Sequence, residues 1–151
     1  MNDEDPEPTS DAPDDPQGLV PCAMTRIVLS EDSDRQFIYV SELEGQRSFP
    51  IVIGSPEARE IARVVRGDKQ RRPLTHELLH KSLLAVGARL TSVDIVRLER
   101  ETFFARMRVE TSAGEQREID ARPSDAIAVA LRARCPLRVA RHVLDAAATD
   151  N

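Results

Sequence analysis

The sequence predicts an α+β domain, and three observations carry that expectation. Between residues 24 and 140, segments in which polar and apolar residues alternate recur at intervals, as strands require. Between them lie stretches with apolar residues at helical spacing, bounded by Ser, Thr, Pro or Gly at positions where helices start and stop. The chain has 151 residues, 40% of them hydrophobic, which suits one domain with a core of its own. Aromatic residues make up only 3% and Trp is absent, so that core rests on Val, Ile, Leu and Ala.

Residues 1–21 differ from the rest. They hold seven acids, no Lys or Arg, and five of the ten prolines. Such a segment buries too little apolar surface to offset its ordering entropy, so a disordered acidic tail is expected, with the folded domain over 22–151. The tail is either a solubilising extension or a competitor of nucleic acid for a basic surface.

The elements of the first half follow in order. Met24–Ser30 and Gln36–Ser41 alternate as strands. Arg47–Ile53 is a third strand, and Pro50 within it argues for an edge or a bulge, because proline cannot donate to a ladder. Gly54-Ser55-Pro56 ends the sheet, with Ser55 as N-cap and Pro56 as first helical residue. Ala58, Ile61, Ala62 and Val65 then keep helical spacing up to Gly67, a fitting C-terminal cap. A second helix is expected from about Thr75, its N-cap, to Val86, with Leu78, Leu79, Leu83 and Val86 facing inward.

The second half repeats this order. Strands are expected at Arg89–Glu99, Thr102–Thr111 and Gln116–Ala121, the first two joined as a hairpin through Arg100 and Glu101. A helix over Pro123–Ala133, a short strand over Leu137–Ala140 and a terminal helix over about Arg141–Ala148 complete the chain. Glu57-Ala58 with Ile61-Ala62 is echoed by Asp125-Ala126 with Val129-Ala130, which suggests a duplicated three-strand-plus-helices unit.

Charge and composition narrow the classes. Setting the tail aside, 21 basic residues face 19 acidic ones, so the body is nearly neutral and slightly basic. Nineteen of the basic residues are Arg, whose planar fork suits bidentate phosphate contacts, although coding bias in a GC-rich genome gives the same excess. Cys22 and Cys135 sit in no disulfide framework and no metal-ligand spacing, which favours a reducing compartment. With no signal-peptide pattern and no apolar run near the ~20 residues of a membrane span, a cytoplasmic protein without a membrane partner is expected.

Three constellations could carry chemistry. His76-Glu77-Leu78-Leu79-His80 reads H-E-x-x-H, which on a helix places two imidazoles on one face for zinc. Lys81 and Ser82 follow where a zinc-peptidase helix continues apolar, and no later helix offers a third ligand, so a zinc peptidase ranks third among the functions considered. Asp120-Ala121-Arg122-Pro123-Ser124-Asp125 crosses a strand-to-helix junction. Its carboxylates could bind Mg²⁺ and Arg122 could clamp a phosphate, or Ser124 or Asp125 could simply cap the helix. Arg63, Arg66, Lys69, Arg71 and Arg72 form a basic stretch that suits phosphate, or a solvated helix end; no aromatic residue is interleaved for base stacking.

Taken together, these segments resemble the bifunctional nuclease domain family. The resemblance rests on Phe49-Pro50-Ile51-Val52-Ile53-Gly54 with Glu57-Ala58, on Arg72-Pro73-Leu74-Thr75-His76-Glu77-Leu78-Leu79, on Thr102-Phe103-Phe104-Ala105, and on Ile119 to Ala128. It covers about residues 24–148; Glu77 stands where aspartate is common, and His80 lies outside the family pattern. The resemblance implies a curved, barrel-like, mostly antiparallel sheet with flanking helices, a homodimer or larger homo-oligomer, and nuclease activity on RNA or DNA. The rival function is a non-catalytic module that binds a partner protein, nucleotide or nucleic acid through the same fold. The family-like polar positions are Glu57, Arg72, Thr75, His76, Asp120, Arg122, Ser124 and Asp125.

A mechanism can be written on those positions. His76 would act as general acid or base, since an ordinary imidazole titrates near neutrality. Asp120 and Asp125, with or without Glu57, would place a water or a divalent cation, Mg²⁺ or Mn²⁺. Arg72 and Arg122, with Thr75 and Ser124, would hold the substrate phosphate beside helix N-termini. All of this requires two distant segments to face one pocket.

Overall fold

The computed structural model describes residues 18–150. In chain order the elements are β1 (Leu19–Val28), β2 (Gln36–Glu42), β3 (Arg47–Ile53), α1 (Ser55–Arg66), α2 (Thr75–Ala85), β4 (Arg89–Glu99), β5 (Thr102–Glu110), β6 (Gln116–Ala121), α3 (Pro123–Ala133), β7 (Leu137–Ala140), α4 (Arg141–Ala147) and β8 (Thr149–Asp150). The α+β expectation holds. Of the expected tail, residues 1–17 lie outside the described residues, whereas Leu19–Pro21 belong to β1. Leu19–Cys22 pair in register with β7, so the ordered domain begins before residue 22.

The strands form one sheet in the order β6-β5-β4-β7-β1-β2-β3-β8. Among the described strands only β4 and β7 pair in parallel. Strong curvature follows from one contact. Phe49 on β3 and Phe103 on β5 stack with ring centroids 5.3 Å apart, yet β4, β7, β1 and β2 lie between their strands in the sheet. In a flat sheet, five steps of about 4.8 Å would separate them by roughly 24 Å. The sheet curls back on itself as the barrel-like expectation required, but β6 and β8 end it and it stays open.

Pro50 is accommodated as its chemistry demands. Beyond β2, β3 pairs only with two-residue β8 through Arg47 and Ser48, so β3 is an edge strand at Pro50. The order of elements repeats as the duplication expectation has it: β1-β2-β3-α1 is followed, after α2, by β4-β5-β6-α3, and α1 packs on α3. The core is built from branched aliphatics, among them Ile38, Val40, Ile51, Ile61, Val93, Ile95, Ile127, Val129 and Val139, around Phe49.

Two sequence expectations about helices are corrected. The N-cap positions are Gly54, Leu74 and Arg122 rather than Ser55, Thr75 and Ser124 or Asp125, and none makes a side-chain cap bond. The helices instead open on backbone bonds such as Ala58 N to Gly54 O and Ala126 N to Arg122 O, both 3.0 Å, which frees the first-turn side chains for tertiary contacts. The second correction concerns α2. Leu78 and Val86 are 53% and 78% exposed, and of the residues expected to face inward only Leu83 packs against the core. His76, Glu77 and His80 are the more sheltered residues, because His76 and Glu77 are drawn to charged partners on α3. α2 thus turns His76, Glu77, His80 and Leu83 toward the body and leaves Leu78, Leu79 and Leu84 exposed along with Thr75, Lys81 and Ser82.

Candidate functional site

The first turns of α1, α2 and α3 meet, and each contributes a polar residue at its second or third helical position. His76 Nε2 lies 2.7 Å from Asp125 Oδ1 across 49 residues of sequence. The other oxygen of Asp125 accepts from Arg122 Nε at 2.9 Å. Arg122 Nη2 reaches back to Glu57 Oε1, also at 2.9 Å. The result is a chain His76–Asp125–Arg122–Glu57. An ionised carboxylate only accepts, so Nε2 carries a proton toward it, and in the neutral imidazole Nδ1 is then the acceptor. Three helix N-termini point their positive dipole ends at this cluster, which favours the two carboxylates and any incoming anion.

Local sequence explains why each group sits where it does. Pro56 and Pro123 start α1 and α3, fixing the backbone so that Glu57 and Asp125 fall in the first turn. Gly54 leaves room for that carboxylate: a Cβ there would lie 2.5 Å from Glu57 Oε2 and would push the side chain from its present position near Arg122. Arg122 remains 67% exposed at its side chain although it bonds both acids. The Asp125 hydrogen bond, then that of Glu57, pushes its pKa above the ordinary arginine value, so it is a permanent cation.

A second network locks the three helices behind this cluster. Buried Glu60 on α1 accepts from Arg132 Nε of α3 at 2.6 Å and from Arg63 Nη2 at 2.9 Å. Arg132 Nη1 also reaches Glu77 of α2 at 3.4 Å. Sequence reading missed Glu60 and Arg132 entirely. The signal for them is a charged residue amid the apolar positions of an otherwise inward-facing helix face, which occurs at both Glu60 and Arg132.

The other sequence candidates distribute unevenly. Ser124 is 6% exposed and lies beside Arg122 in the wall of a cleft. Thr75 and Arg72 are exposed at the start of α2 and in the loop before it. Asp120 is exposed on edge strand β6, opposite Arg106, and takes part in none of the cluster's bonds. Arg63 is engaged by Glu60, while Arg66, Lys69, Arg71 and Arg72 are exposed.

Among the described residues no group of three or more His, Cys, Asp or Glu comes together to hold an ion. Where Glu57 and Asp125 converge, the position is taken by the guanidinium of Arg122. These residues therefore do not by themselves fit an Mg²⁺ or Mn²⁺ site. His76 of the H-E-x-x-H pattern is held by Asp125, and no third zinc ligand joins it and His80 among the described residues.

Next to the cluster lies a cleft of about 610 Å³, opened where the curled sheet brings β3 toward the β4–β5 hairpin. Its walls include Pro50, Val52, Leu98, Phe103, Thr102 and Ser124, with Arg122 and Glu101 also on its lining.

Fold and site define an α+β domain with an acid–arginine–histidine cluster at the junction of three helix N-termini. The chain belongs to the bifunctional nuclease domain family, whose profile matches residues 38–151. It is also similar to an uncharacterized protein found in two strains of Mycobacterium tuberculosis, each 36% identical over 118 residues, covering 78% of this chain and 70% of the relative. No helix among the described residues is long and apolar enough to cross a membrane.

Proposed function

We propose that the protein hydrolyses phosphodiester bonds of RNA or DNA at the His76–Asp125–Arg122 cluster. The observation that carries the reading is the 2.7 Å bond from His76 Nε2 to Asp125, which orients the imidazole and leaves Nδ1 to act as base. His76 takes a proton from the attacking water, Asp125 stabilises the resulting imidazolium, and that proton then goes to the departing oxygen. Arg122, largely exposed, offsets the charge that builds on the phosphate. Glu57 holds Arg122 in place from the other side. Arg72, Thr75 and Ser124 flank this group as substrate contacts, and Asp120 sits on the neighbouring edge strand where it meets substrate rather than the cluster.

The test is cleavage of fluorescent single-stranded RNA and DNA by purified protein with Mg²⁺, Mn²⁺ or chelator. Cleavage that disappears in His76→Ala, with the fold retained by circular dichroism, supports the reading. Equal cleavage by wild type and His76→Ala sinks it. One observation favours the rival, a non-catalytic binding module: both Asp125 oxygens and Glu57 Oε1 are engaged, as in a joint that only ties helices together. Nucleic-acid binding with no cleavage under any cation condition selects that rival.

We also infer that copies of the chain associate through the outward side of α2. Leu78, Leu79 and Val86 are exposed there on one side. The stripe is self-complementary about Ser82. Leu78 and Leu79 on one side of it match Ala85 and Val86 on the other, as a two-fold antiparallel pair requires.

A further inference from the structure

We propose that the cleft between β3 and the β4–β5 hairpin receives the base of one unpaired nucleotide, its phosphate held by Arg122. The inference rests on the nucleic-acid reading above for the identity of the ligand and adds to it the form of substrate: single strands rather than duplex.

The argument begins with size and shape. A cleft of about 610 Å³ falls within the range of small-ligand sites and exceeds what a single base fills. It is bounded by two strands and a helix end and open to solvent on its remaining side, so a base reaches its walls only when it leaves its stack and its pairing partner. Apolar groups dominate the walls: Pro50, Val52, Leu98 and Phe103. The Phe103 ring is backed by Phe49 at 5.3 Å, which makes it a rigid aromatic support for a flat ligand. Val52 is 53% exposed, an apolar side chain left half open to solvent.

Charge then fixes the occupant and its direction. Arg122 is cationic, 67% exposed at its side chain, and lines the cleft, so it is placed to take a phosphate. Glu101 lies on the same lining and only accepts hydrogen bonds; it repels phosphate and receives the N–H groups of a base edge. A ligand with an anionic end, a flat apolar body and peripheral N–H donors matches this lining, and a nucleotide has all three. The backbone supports a functional role for the lip. Arg100 and Glu101 hold φ of 48° and 67° without being glycine, a costly conformation that tends to persist where a side chain is needed in one place. Thr102 and Ser124 add hydroxyls between the two ends.

The experiment measures binding, not cleavage, so it stands apart from the catalytic proposal. Anisotropy of a fluorescein-labelled eight-nucleotide single strand, and of the same strand annealed to its complement, is titrated with wild type and His76→Ala. Single strand bound at least tenfold tighter than duplex is expected for both proteins. Phe103→Leu, which removes the ring and keeps an apolar side chain, should weaken single-strand binding at least fivefold. Should that variant fail to fold, Val52→Glu at its exposed position carries the same test: it places a carboxylate in the cleft and should weaken binding tenfold. Leu43→Glu, an equal charge change at another exposed position outside the cleft lining, should stay within twofold. Arg122→Ala should weaken binding and flatten its salt dependence by about one charge. Duplex bound as tightly as single strand, or Val52→Glu indistinguishable from Leu43→Glu, overturns the proposal even if the protein cuts nucleic acid. Tight single-strand binding lost in Val52→Glu upholds it even if no cleavage is found.

Discussion

His76 Nε2 sits 2.7 Å from Asp125 Oδ1, and the opposite oxygen of that carboxylate is taken by Arg122 Nε at 2.9 Å. One carboxylate therefore sets both the tautomer of the imidazole and the position of the guanidinium. Asp125→Asn keeps the shape and removes the charge. The imidazolium formed during proton transfer then loses its counter-ion, and Arg122 keeps only Glu57. Cleavage should fall by about 10²–10⁴-fold, the usual worth of a positioned acid or base. The double variant Asp125→Asn/His76→Ala should be no worse than His76→Ala, because the two act as a unit. Single-turnover rates check this, and additive losses would separate the two residues.

The positions that sequence reading joined into one site were legible for Glu57, His76, Arg122 and Asp125 because they sit at helix starts that Pro and Gly announce. Asp120 was grouped with Asp125 on the assumption that residues five apart converge. A strand running into a helix does not do that: Asp120 stays on β6 opposite Arg106, while Asp125 turns with the first helical turn. Strand bounds read well at β3, which Gly54-Ser55-Pro56 ends sharply, and failed at β1, where Pro21 disguises a strand start. The facing of α2 was unreadable for another reason. Leucines normally mark the buried side, but here pairwise bonds from His76 to Asp125 and from Arg132 to Glu77 set the helix rotation. Such bonds depend on partners about fifty residues away, and no local pattern contains them.

The outward leucines of α2 make a prediction about assembly. Leu78 is 53% exposed and is not one of the residues that make up or pack against the core cluster. Leu78→Glu should leave the melting temperature of the monomer within a few degrees. It should also convert an assembled species into a monomer by light scattering after size-exclusion chromatography. A wild type that is monomeric at hundreds of micromolar removes α2 as a self-association surface.

Glu60 gives a pH prediction. Burial is the largest single influence and raises its pKa, but the hydrogen bonds and positive charges of Arg132 and Arg63 together outweigh it, and the carboxyl lies below its ordinary value of 4.5. A folded-state pKa below the unfolded one contributes stability that is complete above the unfolded value and lost as pH falls through the folded one. Stability attributable to Glu60 is therefore present at pH 7 and declines only below about pH 4.5. Glu60→Gln should flatten the acid limb of the stability curve there. Glu60→Ala leaves sheltered Arg132 with only Glu77 as partner, and should cost about 3 kcal/mol or more at pH 7. Urea melts across pH 3–7 read both.

Thiol chemistry should be muted. Burial pushes Cys22 and Cys135 each up to about 11, and both are free. The thiolate is the nucleophile, so at pH 7.5 native protein should react with a disulfide reagent far more slowly than denatured protein. Rapid stoichiometric labelling of either native thiol would contradict this.

The hairpin tip joins stability to function. Glu99 and Thr102 pair directly, so Arg100 and Glu101 are a two-residue loop, and both adopt positive φ. That is the geometry for which Asn-Gly is favoured, because Asn and Gly tolerate the left-handed region that Arg and Glu enter at a cost. Replacing both residues by Asn-Gly should stabilise the protein by about 1 kcal/mol, a rise of several degrees in melting temperature. The same change removes the Glu101 carboxylate from the lining of the cleft. Inorganic polyphosphate, which that carboxylate repels, should then compete with a single-stranded oligonucleotide more effectively than it does in the wild type. A variant that melts higher and discriminates less would show that the strained turn is kept for its side chain. A variant that melts higher with unchanged competition would leave Arg100 and Glu101 without a role in binding.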